Sequence, residues 1–141
     1  MACPHFCPVK PDPAHAPSHA TLPLGDAWSG VCQAQPESPW QPGADTLYPL
    51  CNIGYARERC PRFPPGDGPD AVRFSIVGEE DRSLQLYYVV ERDHLPLAHG
   101  RLEYRVPDGE IRPAPALPAV IRLAQAYVSS YFQRRGEAGT R

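Results

Sequence analysis

The stretch AVRFSIVGEEDRSLQLYYVVERDHLPLAHGRLEYRV, residues 71–106, decides the fold. In AVRFSIV (71–77), Val72, Phe74 and Ile76 alternate with Arg73 and Ser75. After the polar turn GEEDRS (78–83), LQLYYVVE (84–91) places Leu84, Leu86, Tyr88 and Val90 on one face. The segment RDHLPLAHG (92–100), with its proline and glycine, is expected to be a loop. RLEYRV (101–106) then sets Leu102, Tyr104 and Val106 against Arg101, Glu103 and Arg105. Three runs with a period of two, separated by turn signals, predict a small antiparallel sheet. Such a sheet has to cover its apolar face.

The cover follows in sequence. Leu117, Val120, Ile121, Ala124, Tyr127, Val128, Tyr131 and Phe132 recur at spacings of three and four, the stripe of an amphipathic helix. Arg122, Gln125, Ser129 and Gln133 are assigned to its outer face. Pro118 suits the first turn, and Gly136 is expected to end the helix after Arg134 and Arg135.

Upstream the character of the chain changes. Of 19 prolines, 14 fall in residues 1–70, whereas only 14 of the 38 bulky apolar residues do. Proline removes a backbone donor and restricts its predecessor, so Pro4, Pro8, Pro11, Pro13, Pro17 and Pro23 predict no regular element before Leu24. Phe6, Leu22, Leu24, Trp28, Val31 and Trp40 nevertheless look like anchors. DTLYPLCNIGYARERC (45–60) predicts two short turns, the first capped by Asp45 and ending at Leu50, the second spanning Tyr55 to Arg59.

The expected fold is therefore α+β: an irregular Pro- and Cys-rich N-terminal half on a small antiparallel meander of about three strands, packed by one C-terminal amphipathic helix. Residues 1–65 form a cysteine-rich metal- or cluster-binding region, 66–70 a linker, and 71–135 the sheet and helix, in one compact unit with the first region. Residues 136–141 form a flexible tail.

With 14 basic and 16 acidic residues, the chain lacks the basic excess of a nucleic-acid binder. No apolar run is long enough to span a membrane. The N-terminus MACPHFCPVKPDPAHAP lacks the charged start and apolar core of a secretory signal, which predicts a cytoplasmic location. In that compartment clustered cysteines bind metal or do redox work more often than they form disulfides.

All five cysteines, Cys3, Cys7, Cys32, Cys51 and Cys60, lie in the proline-rich half. None forms the C-x2-C knuckle of a structural zinc ribbon. Wide, unequal spacing suits thiolates that converge from separate loops on an object larger than one ion, such as an iron–sulfur cubane. Cys3, Cys7 and Cys60 each precede a proline, as the last ligand of ferredoxin-type clusters does. Gly30 and Gly54 would let backbone N–H groups approach the sulfurs. These residues leave Cys3 and Cys7 as alternatives for one ligand position. A metal centre, worth on the order of 10 kcal/mol in structural zinc sites, would serve as the core this half lacks.

CPHF (3–6), LPLGD (22–26), Cys32 and LCNIGYARERCPRFP (50–64) resemble a four-cysteine pattern in small bacterial proteins with no assigned activity. The resemblance covers the first half best. It implies Cys3, Cys32, Cys51 and Cys60 as ligands of an iron–sulfur cluster, and it favours Cys3 over Cys7. The function expected is that of a [4Fe–4S]-type protein in electron transfer, in redox sensing or as an accessory subunit, with a redox or protein partner. The alternative is a zinc-stabilised interaction module.

Other side chains carry weaker signals. His15 and His19 are four apart, but the prolines forbid a helix there, and His94 and His99 flank a strand-connecting loop as surface residues rather than a catalytic pair. His5, between Cys3 and Cys7, is a candidate donor beside the site. Arg57, Arg59 and Arg62 surround Cys60 and either form a solvated face or offset the charge of a thiolate centre. Phe6, Trp28, Trp40, Tyr55 and Phe63 are candidates for its apolar shield. No nucleophile elbow, phosphate loop, dinucleotide fingerprint or zinc-protease motif is present, so the sequence names no catalytic residue.

Overall fold

Four antiparallel strands follow one another across a single sheet: β3 (Ala71–Glu80), β4 (Ser83–Arg92), β5 (Leu95–Arg105) and β6 (Glu110–Arg112). They are preceded by a separate hairpin of β1 (Phe6–Pro11) and β2 (Trp28–Cys32) and followed by helix α2 (Pro118–Gly139). A short helix, α1 (Ala44–Thr46), runs straight into one wide π-type turn, Leu47–Cys51. The fold is α+β, as the sequence predicts. The computed structural model describes residues 2–12, 23–24, 27–35, 37–66, 68–106, 109–113 and 118–139, and of 134–139 the backbone only. His15, His19, Leu22 and Leu117 lie outside the described residues.

The register realises the alternation in the sequence. Val72 pairs with Val90, Phe74 with Tyr88 and Ile76 with Leu86. Leu86 pairs in turn with Leu102, Leu84 with Tyr104, and Tyr104 with Ile111. These cross-strand rows make one apolar face, against which α2 lays Tyr127 beside Phe74 and Phe132 beside Tyr104.

The sheet departs from expectation at two places. Residues 95–100 are strand, not loop, because Asp93 and His94 (φ 52° and 62°) turn the chain in two residues. Pro96 sits beside a β-bulge, on a part of β5 that β6 does not reach, where a missing donor is tolerated. Gly100 lies under the Tyr88 ring, which a Cβ would meet at 3.1–3.3 Å. The meander also gains a fourth strand, the three-residue β6.

Helix α2 is buried more widely than one stripe allows. Leu123, Ala126 and Ser130 are buried along with Val120, Ala124 and Val128, because β1 also packs on the helix. From β2, Trp28 Nε1–H donates to Ser130 Oγ on the same helix at 3.2 Å. The helix continues past Gly136 to Gly139. No helix among the described residues is long and apolar enough to cross a membrane.

The N-terminal half contains a regular element where prolines predict none. β1 includes Pro8 and Pro11 yet pairs with β2, Phe6 opposite Cys32 and Cys7 opposite Val31, with a shift in register between Pro8 and Lys10. A two-stranded hairpin has only outer strands, so a paired residue whose N–H would face away from the partner strand can be proline. Gly30 is required there: a Cβ would stand 2.1 Å from Cys7 O and 2.9 Å from Phe6 Cε1. Its bare backbone serves strand contact.

Candidate metal centre

Main-chain hydrogen bonds stitch the cysteine-bearing segments together. Ala2 and Val72 exchange N–H···O bonds of 2.8 Å, fixing the start of the chain to the sheet. Cys3 N–H then donates to Cys51 O at 3.1 Å, and Gln33 N–H to His5 O at 2.8 Å. Cys32 and Trp40 exchange bonds of 2.7 and 3.1 Å. Cys60 ends a tight turn in which its N–H donates to Ala56 O at 2.7 Å.

The result brings four of the five thiols to one place. Cys3, Cys32, Cys51 and Cys60 line a single pocket with about 330 Å³ of atom-free space, counting its open mouth. Cys3, Cys32 and Cys51 are buried and Cys60 is half-buried. Cys7 does not line it. Successive strand residues face opposite ways, so β1 directs Phe6 to the side of its partner Cys32 and Cys7 to the other. All five cysteines are free thiols.

The pocket walls are apolar and aromatic. Phe6, Trp40 and Phe63 contribute, as the sequence predicts, with Leu50, Ala34 and Ala56. Trp28 and Tyr55 stand elsewhere. Trp28 joins β2 to α2, and Tyr55 stacks on His94 at 4.2 Å while its hydroxyl donates to Glu91. His5 lines the pocket and meets the Phe63 ring edge-on at 5.2 Å. Burial, with the Arg57 charge adding, holds His5 below its usual 6.5. His99 bonds Tyr87 on the exposed sheet face at 2.8 Å, away from the thiols.

Burial pushes the Cys3 thiol up to about 12, with the Cys32 and Cys60 sulfurs adding to the rise and main-chain bonds at His5 and Phe6 opposing it. Cys51 is likewise pushed to about 12 by burial, then by Cys3, Cys32 and Cys60. Burial first, and neighbouring sulfurs second, thus hold these two thiols in the protonated form. Among the described residues no three His, Cys, Asp or Glu donors gather closely enough to hold a single metal ion.

The three arginines near Cys60 part ways. Arg59 is exposed. Arg57 clamps the 66–70 segment, donating to Asp70 Oδ1 (2.7 Å), Gly66 O (2.7 Å) and Gly68 O (2.9 Å) over the Phe63 ring. Arg62 lines the thiol pocket; its Nη2–H donates to Ser38 O at 2.6 Å and its guanidinium covers Trp40. The Arg62 Nε–H is buried without an acceptor.

Three structural residues escape sequence reasoning. Asn52, directly after Cys51, is fully buried; its side chain accepts from Trp28 N–H (2.9 Å) and donates to Trp28 O (3.0 Å) and Leu47 O (2.9 Å). Asp70 and Glu91 are buried carboxylates that tie the cysteine loop to the β4–β5 turn. Asp70 accepts from Asp93 N–H at 2.9 Å, and Glu91 from Arg73 at 2.9 Å. Burial would raise both carboxyls, but these donors, with Arg57 on Asp70 and Tyr55 on Glu91, hold them below their ordinary values. The sequence carries a signal only at Asn52, a polar residue between apolar neighbours; Asp70 and Glu91 lie among other charged residues.

No family model, curated protein or solved structure matches the chain.

Proposed function

We propose that the chain is an iron–sulfur protein that holds a [4Fe–4S]-type cluster through Cys3, Cys32, Cys51 and Cys60. One observation carries this reading: four thiols from four separate segments converge on one pocket while the fifth faces away. The residues present fit such a group in two further respects. Four thiolates are the donor set of these clusters. The unsatisfied Arg62 Nε–H faces a need for an acceptor that sulfur would meet.

When bound, the group would supply one-electron chemistry, in electron transfer or redox sensing. The chain's own part is to hold four sulfurs at fixed positions, exclude water with Phe6, Trp40 and Phe63, and release the protons of two strongly buried thiols on loading. The test is anaerobic purification with iron, sulfide and zinc analysis. About four irons and four sulfides per chain are expected, with broad absorption near about 400 nm that dithionite bleaches. Cys7→Ser should leave iron content unchanged and Cys60→Ser should abolish it. One zinc per chain without sulfide, or equal loss in the two variants, overturns the assignment.

A further inference from the structure

Arg62 has a guanidinium that is fixed but incompletely used. Its Nη2–H is spent on Ser38 O, and the Trp40 ring lies 5.3 Å beneath it. Trp40 is itself bonded twice through its backbone to Cys32, so the guanidinium is held to the segment carrying one thiol while its own backbone follows Cys60 by two residues. The plane cannot swing to solvent without giving up both contacts. Its Nε–H has neither solvent nor acceptor, in a wall shared with four thiols. A buried donor left in that state is costly and calls for an explanation, of which a ligand that completes it is one; the other such atom among the described residues, Arg122 Nε, lies outside the thiol pocket.

We infer that Arg62 is a positioning residue for the redox centre: its Nε–H donates to a cluster or thiolate sulfur and raises the reduction potential. The inference rests on the iron–sulfur reading. A hydrogen bond to sulfur stabilises the more negative, reduced state over the oxidised one, as does the fixed positive charge. Nε differs from the charge in being directional. A lysine at this position keeps the cation but loses the planar fork and the Nε–H.

The test uses the full chain, loaded anaerobically, with iron content, electron paramagnetic resonance and a redox titration. Arg62→Lys and Arg62→Gln should retain iron and shift the reduction equilibrium at least about tenfold toward the oxidised form, roughly 59 mV for one electron. The glutamine variant, which loses charge as well, should shift further. Arg59→Gln removes an exposed charge near Cys60 and should shift less than either. A wild-type potential in Arg62→Lys overturns the inference, as does loss of iron from that variant, since tuning is not needed to hold four thiolates. A wild-type chain that takes up no iron overturns the underlying reading instead, and with it this inference.

Discussion

Replacing Asn52 with alanine tests how the thiol pocket is held together. Asp12 N–H donates to Ala27 O at 2.7 Å, so at the next register position, Pro11 opposite Trp28, the Trp28 N–H and C=O point away from β1. The Asn52 amide pairs with both, as a neighbouring strand would, and spends its last donor on Leu47 O. In Asn52→Ala the Leu47 carbonyl keeps the Asn52 backbone N–H as partner (3.1 Å), but both Trp28 groups are stranded. Trp28 is 5% exposed, so water does not replace the amide. A stranded buried group costs roughly 1–3 kcal/mol, which puts the substitution near about 4 kcal/mol, a large share of the roughly 5–15 kcal/mol typical of a domain. Urea unfolding of the metal-free, reduced chain, followed by tryptophan fluorescence, measures it. Asn52→Asp keeps the acceptor, loses both donors and buries a charge, so it should fare no better. A loss below about 1 kcal/mol in Asn52→Ala would refute the argument that this amide joins β2 to the Cys51 turn.

Two further outcomes are expected. Gly30→Ala forces a Cβ into Cys7 O and Phe6 and should cost about 2 kcal/mol or more, whereas Gly43→Ala, with open space around it, should stay within about 0.5 kcal/mol; paired thermal melts distinguish them. Asp70 and Glu91 are held below ordinary values of 3.8 and 4.5, so the stability they confer is complete above those values and declines as pH falls through the lower folded ones. Denaturant midpoints taken below about pH 4.5 should fall with pH. Arg57→Gln should lower the neutral-pH midpoint and flatten that acid slope; an unchanged slope would remove Arg57 from the account.

The parts of the fold that were legible are those where one period repeats long enough to dominate. Val72 to Ile76 and Leu84 to Val90 each alternate over five residues or more, and α2 carries its stripe for four turns; Leu102 and Tyr104 continue the face, but Val106, read as part of it, lies past β5 and is exposed. β1 was hidden because Pro8 and Pro11 argue against a strand, and only the hairpin's lack of further neighbours makes them acceptable. β6, at three residues, is too short to show a period. The thiol set was legible as a count and a spacing, but the exclusion of Cys7 depends on strand parity, which requires knowing that β1 exists. The roles of Asn52 and of the Arg57–Asp70 pair come from partners 24 and 13 positions away, where no local pattern reaches.

The cysteine-bearing half takes its anchorage from later chain: Ala2 from Val72, Tyr55 from Glu91, Trp28 from Ser130. Synthesis runs the other way. Cys60 leaves the ribosome seventy residues ahead of Ser130, an interval of roughly 3–15 s at ordinary elongation rates. Throughout it, the thiols that end up enclosed are bare, and their ionisation is that of an ordinary cysteine. Docking of the hairpin on α2 ends that interval, so the last helix to be made sets how long the first residues of the protein stay unanchored.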